Sequence, residues 1–135
     1  MNKIPNEEES KFIEEYKRLC DCFSEGRRCP ALLTTLEAYN QSLSFIEFVN
    51  GVYIYGGYER GRRGETCSSP NAAEVMYYPV AFAAKSLAGD WESRNRIPNQ
   101  DHRVRRFRKA VEYMGRVNPL WAEKLHADLS KYIEF

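Results

Sequence analysis

Residues 67–89 (CSSPNAAEVMYYPVAFAAKSLAG) make the one long run with almost no charge, carrying only Glu74 and Lys85. Ala72, Ala73, Val75, Met76, Val80, Ala81, Phe82, Ala83, Ala84 and Leu87 spread around the whole circumference of a helix, and a helix apolar on nearly every side is buried. The rest of the chain must therefore pack around it. Pro70 suits a first helical turn with Ser68 or Ser69 as N-cap, and Gly89 suits the left-handed position that ends a helix. Pro79 removes a backbone donor inside the run and predicts a kink or break near Tyr77 and Tyr78. A membrane span needs about 20 strongly apolar residues, and the two charges, the proline and the tyrosines argue against one. No membrane partner is expected.

The 135 residues suit a single globular domain over residues 1–135, large enough for a core without disulfides. The start MNKIPNEEES lacks the apolar centre of a secretion signal, which predicts a cytoplasmic, reducing setting. The four cysteines then read as thiols rather than zinc ligands. Cys20 and Cys22 would point roughly 200° apart on a helix, Cys29 and Cys67 fall in connections, and no C-x-x-C pair occurs. No metal or other cofactor is implied.

Helical periodicity recurs along the chain. Asn6 with Glu9 forms a capping-box pattern ahead of Phe12, Tyr16, Leu19 and Phe23, predicting a first helix that Gly26 stops. Leu32, Leu36, Tyr39, Leu43 and Ile46 predict a second helix from Pro30 to about Val49. Asn50-Gly51 then caps that helix or, in the alternative, turns a small β-hairpin near residues 44–57. Asp101 caps a helix over residues 102–114 with Val104, Phe107, Val111 and Met114 as its apolar stripe. Asn118-Pro119 opens a last helix with Trp121, Leu125, Leu129, Tyr132 and Ile133 on one side. The expected fold is a mainly α bundle of about five helices.

Charge is distributed unevenly: residues 1–25 carry seven acidic and four basic side chains, residues 94–116 two acidic and eight basic. Residues 56–65 add four glycines and three arginines with no core pattern, which predicts a surface loop. Its glycines would let backbone N–H groups approach a phosphate beside Arg60, Arg62 and Arg63. No P-loop or RGG repeat is present. In the second basic segment Arg94 and Arg96 precede the helix, and Arg105, Arg106, Lys109 and Tyr113 project opposite its apolar stripe. Arg103, Arg105 and Arg106 crowd the positive end of that helix dipole, at about 0.3–1 kcal/mol each when exposed. Something other than intrinsic helix stability must keep them there.

Three readings compete. The arginines pair with the acidic first helix (Glu7, Glu8, Glu14, Glu15). Alternatively, they bind a nucleic acid or phosphate-bearing ligand, the leading expectation. In the third, the chain is a protein-interaction or inhibitory module that meets an acidic protein surface, or a second copy of itself, with Tyr53, Tyr55, Tyr58 and Tyr113 as aromatic anchors. Catalysis has little material to draw on, since the chain holds two histidines. His126 suits a core edge, and Cys67 has neither a C-x5-R loop nor a paired base. The spacing of Arg96 and His102 resembles the R-x4-6-H motif of HEPN ribonucleases, which are helical bundles of similar size, and implies those two residues as an active pair. With 13 arginines in the chain, about 0.6 such matches arise by chance, and Pro98 places Arg96 in a connection.

Overall fold

The computed structural model describes residues 6–41 and 43–135. Residues 1–5, which carry part of the expectation about a secretion signal, and Ser42, inside the expected second helix, lie outside the described residues. The elements are α1 (Glu7–Cys20), β1 (Leu32–Leu33), α2 (Thr35–Gln41), β2 (Ser44–Val49), β3 (Val52–Glu59), β4 (Arg62–Ser69), α3 (Ala72–Arg94), α4 (His102–Gly115) and α5 (Pro119–Leu129). The fold is thus α+β, and the expected mainly helical bundle is overturned by a four-stranded sheet of order β1-β2-β3-β4. The chain divides into two compact units: Met1–Arg18 with Ala31–Pro79, which holds the sheet, and Leu19–Pro30 with Val80–Phe135, which is helical.

In the sheet unit, β1 pairs parallel to β2, and β2, β3 and β4 form two antiparallel hairpins. Both hairpins turn on two residues with positive φ, Asn50 (54°) and Gly51 (75°), then Arg60 (53°) and Gly61 (75°). Such turns match the twist of the strands they join. The second helix expected up to Val49 is replaced by β1, α2 and β2. Adjacent Phe45 and Ile46 are both fully buried, because the sheet is covered on both faces there. That erases the alternation by which a strand is read and leaves an apolar run that also fits a helix.

The expected Gly/Arg surface loop is likewise corrected, into the ends of β3 and β4. A bulge leaves Thr66 without a partner, since Tyr55 faces Cys67 and Gly56 faces Glu65. A Cβ at Gly56 would overlap the Gly64 carbonyl oxygen, so this glycine permits close approach of two strands.

The capping box of α1 forms as expected: Glu9 N donates to Asn6 Oδ1 (2.8 Å) and Asn6 N to Glu9 Oε1 (3.2 Å). The same two side chains reach β2. Phe48 N donates to Glu9 Oε2 (2.8 Å), and Asn6 Nδ2 donates to the Phe48 carbonyl (3.0 Å). β1 ends opposite Phe45, so the capping box satisfies the strand edge where β1 no longer reaches.

In α3, Asn71 Oδ1 accepts from Ala73 N, and Ser69 Oγ accepts from Asn71 N while donating to Glu74. The helix starts later than expected because β4 takes residues up to Ser69. It continues unbroken through Pro79 and past Gly89, which corrects both the predicted break and the predicted stop. In the helical unit, Ala83, Ala84 and Ala88 are fully buried, as are Phe23, Tyr113 and Met114. Asp101 caps α4, and Asn118 caps α5 with Pro119 in its first turn, both as the sequence predicts. A Cβ on Gly89 would lie 3.4 Å from Arg106 Cδ, so the Arg106 side chain of α4 lies over this glycine.

Candidate functional site

Each basic segment lies within one unit, and the surroundings of its side chains differ. At the turn of the β3–β4 hairpin, Arg60 and Arg62 are exposed and carry no ion pair among the described residues. Arg63 is held in place instead. Its guanidinium lies 4.3 Å from the Phe45 ring centroid and bonds Glu47 (2.9 Å) and Glu65 (3.2 Å). Burial opposes its charge, but hydrogen bonds to Tyr58, Glu47 and Glu65 outweigh that and raise its pKa.

The hairpin tyrosines separate by face, since alternate residues of a strand point to opposite sides. Tyr53 lies against Phe12 and Phe48 and donates to Glu8 (2.8 Å). Tyr55 is buried, which pushes its phenol pKa up. Tyr58 packs on Phe45 and meets Tyr39 edge-to-face at 5.5 Å. Tyr39 is 51% exposed and its ring lies near Gly61, so an exposed aromatic side chain stands at the turn that also carries Arg60 and Arg62. Sequence spacing had assigned Tyr39 to a core stripe. It lies instead on the exposed side of the short helix α2, next to buried Ala38.

In the helical unit most of the named cations have local partners. Arg94 pairs with Asp90 (3.1 Å), Arg103 with Asp101 (3.4 Å), Lys109 with Glu112 (3.3 Å), and Arg116 with Glu112 (3.0 Å) as well as the distant Glu25 (2.9 Å). Arg96 bonds both carboxylate oxygens of buried Glu92 (3.0 and 2.9 Å), and this holds the Glu92 carboxyl below its ordinary pKa. Arg105 donates to the Asn95 carbonyl just past the end of α3 (2.7 Å) and stacks over Trp91 at 4.9 Å. Lys109 lies over the same ring at 4.7 Å. The side of α4 expected to face solvent thus packs on the last turns of α3, whose negative dipole end offsets the cost of arginines in the first turn of α4.

Tyr113 is fully buried, stacked on Phe23, and its hydroxyl accepts from Arg27 (2.7 Å). The acids of α1 are engaged within the sheet unit: Glu7 pairs with Lys11 (3.1 Å) and Glu8 accepts from Tyr53. Arg27 carried no sequence signal for its role, which depends on contacts 60 or more residues away.

These placements set what the surfaces can do. Arg63, Arg94, Arg96 and Arg103 each hold a carboxylate in this structure. Arg96 is committed to Glu92 and His102 opens α4, while His126 contacts the Phe135 carbonyl (3.1 Å). Among the described residues no group of His, Cys, Asp and Glu is arranged to hold a metal, and no helix is long and apolar enough to cross a membrane.

No curated protein and no solved structure matches the chain. Residues 50–131 match the protein-family model described as Immunity protein 63, a span from the β2–β3 turn past the end of α5 that includes both basic segments. That match covers more than half of the chain, and the protein belongs to the Immunity protein 63 family.

Proposed function

We propose that this protein neutralises a protein toxin by binding it, using the turn end of the β3–β4 hairpin as its contact surface. The family match carries this reading. The choice of surface is supported by the edge-to-face pair of Tyr39 and Tyr58 near the turn and by the exposed Arg60 and Arg62 in and just after it, since tyrosine and arginine dominate interface energetics. The braced Arg63 stiffens the strand behind them, so little order is lost on docking. Two unpaired arginines favour an acidic patch on the partner. Inhibition is steric and needs no catalysis by this chain. On this reading the encounter takes place in the cytoplasm, a reducing setting that suits a chain with four free thiols.

Crosslinking tagged protein in producing cells, followed by identification of the captured chain and a growth assay with that chain expressed, tests this. The expected result is one stoichiometric partner whose toxicity this protein suppresses. Arg60→Glu with Arg62→Glu should weaken the complex by about tenfold or more without changing the circular dichroism spectrum. Retarded migration of DNA or RNA at low salt, with no stoichiometric protein captured, would overturn the proposal in favour of nucleic-acid binding.

A further inference from the structure

The helical unit carries an open groove of about 440 Å³ between α3 and α4. Phe82, Lys85 and Gly89 supply one wall and Arg106, Phe107 and Ala110 the other. Spacings of three and four residues place Phe82, Lys85, Ser86 and Gly89 on one face of α3. Phe82 is 46% exposed although its neighbours Ala81 and Ala83 are buried. A large aromatic side chain is thus held open beside a second ring, Phe107.

Two cations line the groove, and neither is neutralised by a carboxylate among the described residues. Arg94, Arg96, Arg103, Lys109 and Arg116 each hold a carboxylate, whereas Lys85 and Arg106 in the groove, like Arg105 and Arg108 outside it, make no ion pair among the described residues. The Arg106 guanidinium lies 5.4 Å from the Phe107 ring centroid, which keeps it beside the apolar floor. Asp90 also lines the groove, but Arg27 and Arg94 hold its carboxylate, so the open charge is positive.

We propose that this groove docks an acidic amphipathic helix of a protein partner, with apolar side chains against Phe82 and Phe107 and carboxylates at Lys85 and Arg106. The walls are helix surfaces whose backbone groups are already paired internally. An extended segment would find no ladder there, whereas a helix satisfies its own backbone and needs only side-chain contacts. The proposal rests on the protein being a binding module and adds a second point of attachment, on the helical unit.

The probe is a designed amphipathic peptide with leucines at i, i+3, i+4 and i+7 flanked by glutamates, compared with its lysine counterpart. Titration into ¹⁵N-labelled full-length protein should shift the amides of Ser86, Gly89 and Ala110 with the glutamate peptide alone. Phe82→Ser should weaken that response by about tenfold, and Lys85→Glu with Arg106→Glu should transfer preference to the lysine peptide. Equal response to both peptides, shifts confined elsewhere, or no shift at millimolar peptide would overturn the groove. Because the peptide replaces the toxin, failure here leaves neutralisation by the hairpin standing. Conversely, a groove that responds while no toxin is captured would sink the inhibitory function alone.

Discussion

Replacing Glu9 with alanine tests how α1 is fixed to the sheet. The Glu9 side chain is fully buried and accepts from Asn6 N at 3.2 Å and from Phe48 N at 2.8 Å. A hydrogen bond to a charged group contributes about 1.5–3 kcal/mol, and the loss leaves the Phe48 donor without an acceptor. The two bonds share one carboxylate and are not additive, so about 3–5 kcal/mol of destabilisation is expected. Against a typical total of about 5–15 kcal/mol this is large, and it corresponds to a fall of about 10–20 °C in Tm for a chain of this size. Glu9→Gln keeps the shape and one acceptor oxygen and should lose about half as much. The Asn6 Oδ1 bond accepts from the backbone of residue 9 and survives both changes, so the cap itself is an internal control. Urea denaturation gives the energy, and hydrogen exchange at the Phe48 amide gives the location. A loss below about 1 kcal/mol in Glu9→Ala, or unchanged Phe48 protection, would refute the attachment.

Two glycines should respond to alanine in opposite ways. Gly56→Ala drives a methyl group into the Gly64 carbonyl and should cost about 3 kcal/mol or more, read as a lower urea midpoint. Gly89→Ala meets only the flexible Arg106 side chain at 3.4 Å and gains helix propensity, so it should stabilise by up to about 1 kcal/mol; a loss as large as that of Gly56→Ala would refute the distinction. Acid sensitivity should follow from four carboxylates held below their ordinary pKa, Glu92 by Arg96, Glu25 by Arg116, Glu15 by Arg18, and Asp101 by the Arg103 backbone N–H. Each pKa is lower folded than unfolded, so their contribution is fully present above the ordinary values of 4.5 for Glu and 3.8 for Asp and is lost as pH falls through the folded values. The urea midpoint should be flat near neutrality and decline in that acid window, less steeply in Glu92→Gln; an unchanged slope in that variant would exclude the Arg96 pair as a source.

Features legible in the sequence depend on near neighbours. Asn6 with Glu9, Asp101, and Asn118 with Pro119 each act over one helical turn, and each caps the helix it was expected to cap. β4 was illegible because an exposed edge strand buries little and needs no apolar alternation: RRGETCSS reads as a loop until β3 is beside it. Its turn was equally obscure, since Arg60 occupies a positive-φ position where asparagine would have announced the hairpin. The fate of the second basic segment depended on where α3 stops. Ending it at Gly89 hides the Asp90–Arg94 and Glu92–Arg96 pairs, which are plain four-residue spacings once the helix continues.

The bulge and the charges of β4 have a consequence for the protein in concentrated solution. β4 is an end strand, so one row of its backbone groups faces outward. Such a row is a template on which other chains polymerise. Here Thr66 breaks the spacing of that row, and Arg62, Arg63 and Glu65 would have to shed water before another strand could join it. The sheet can therefore remain open along its last strand without becoming a seed for fibrils. The residues that hide the strand from a reader of the sequence are those that make it unattractive to other strands.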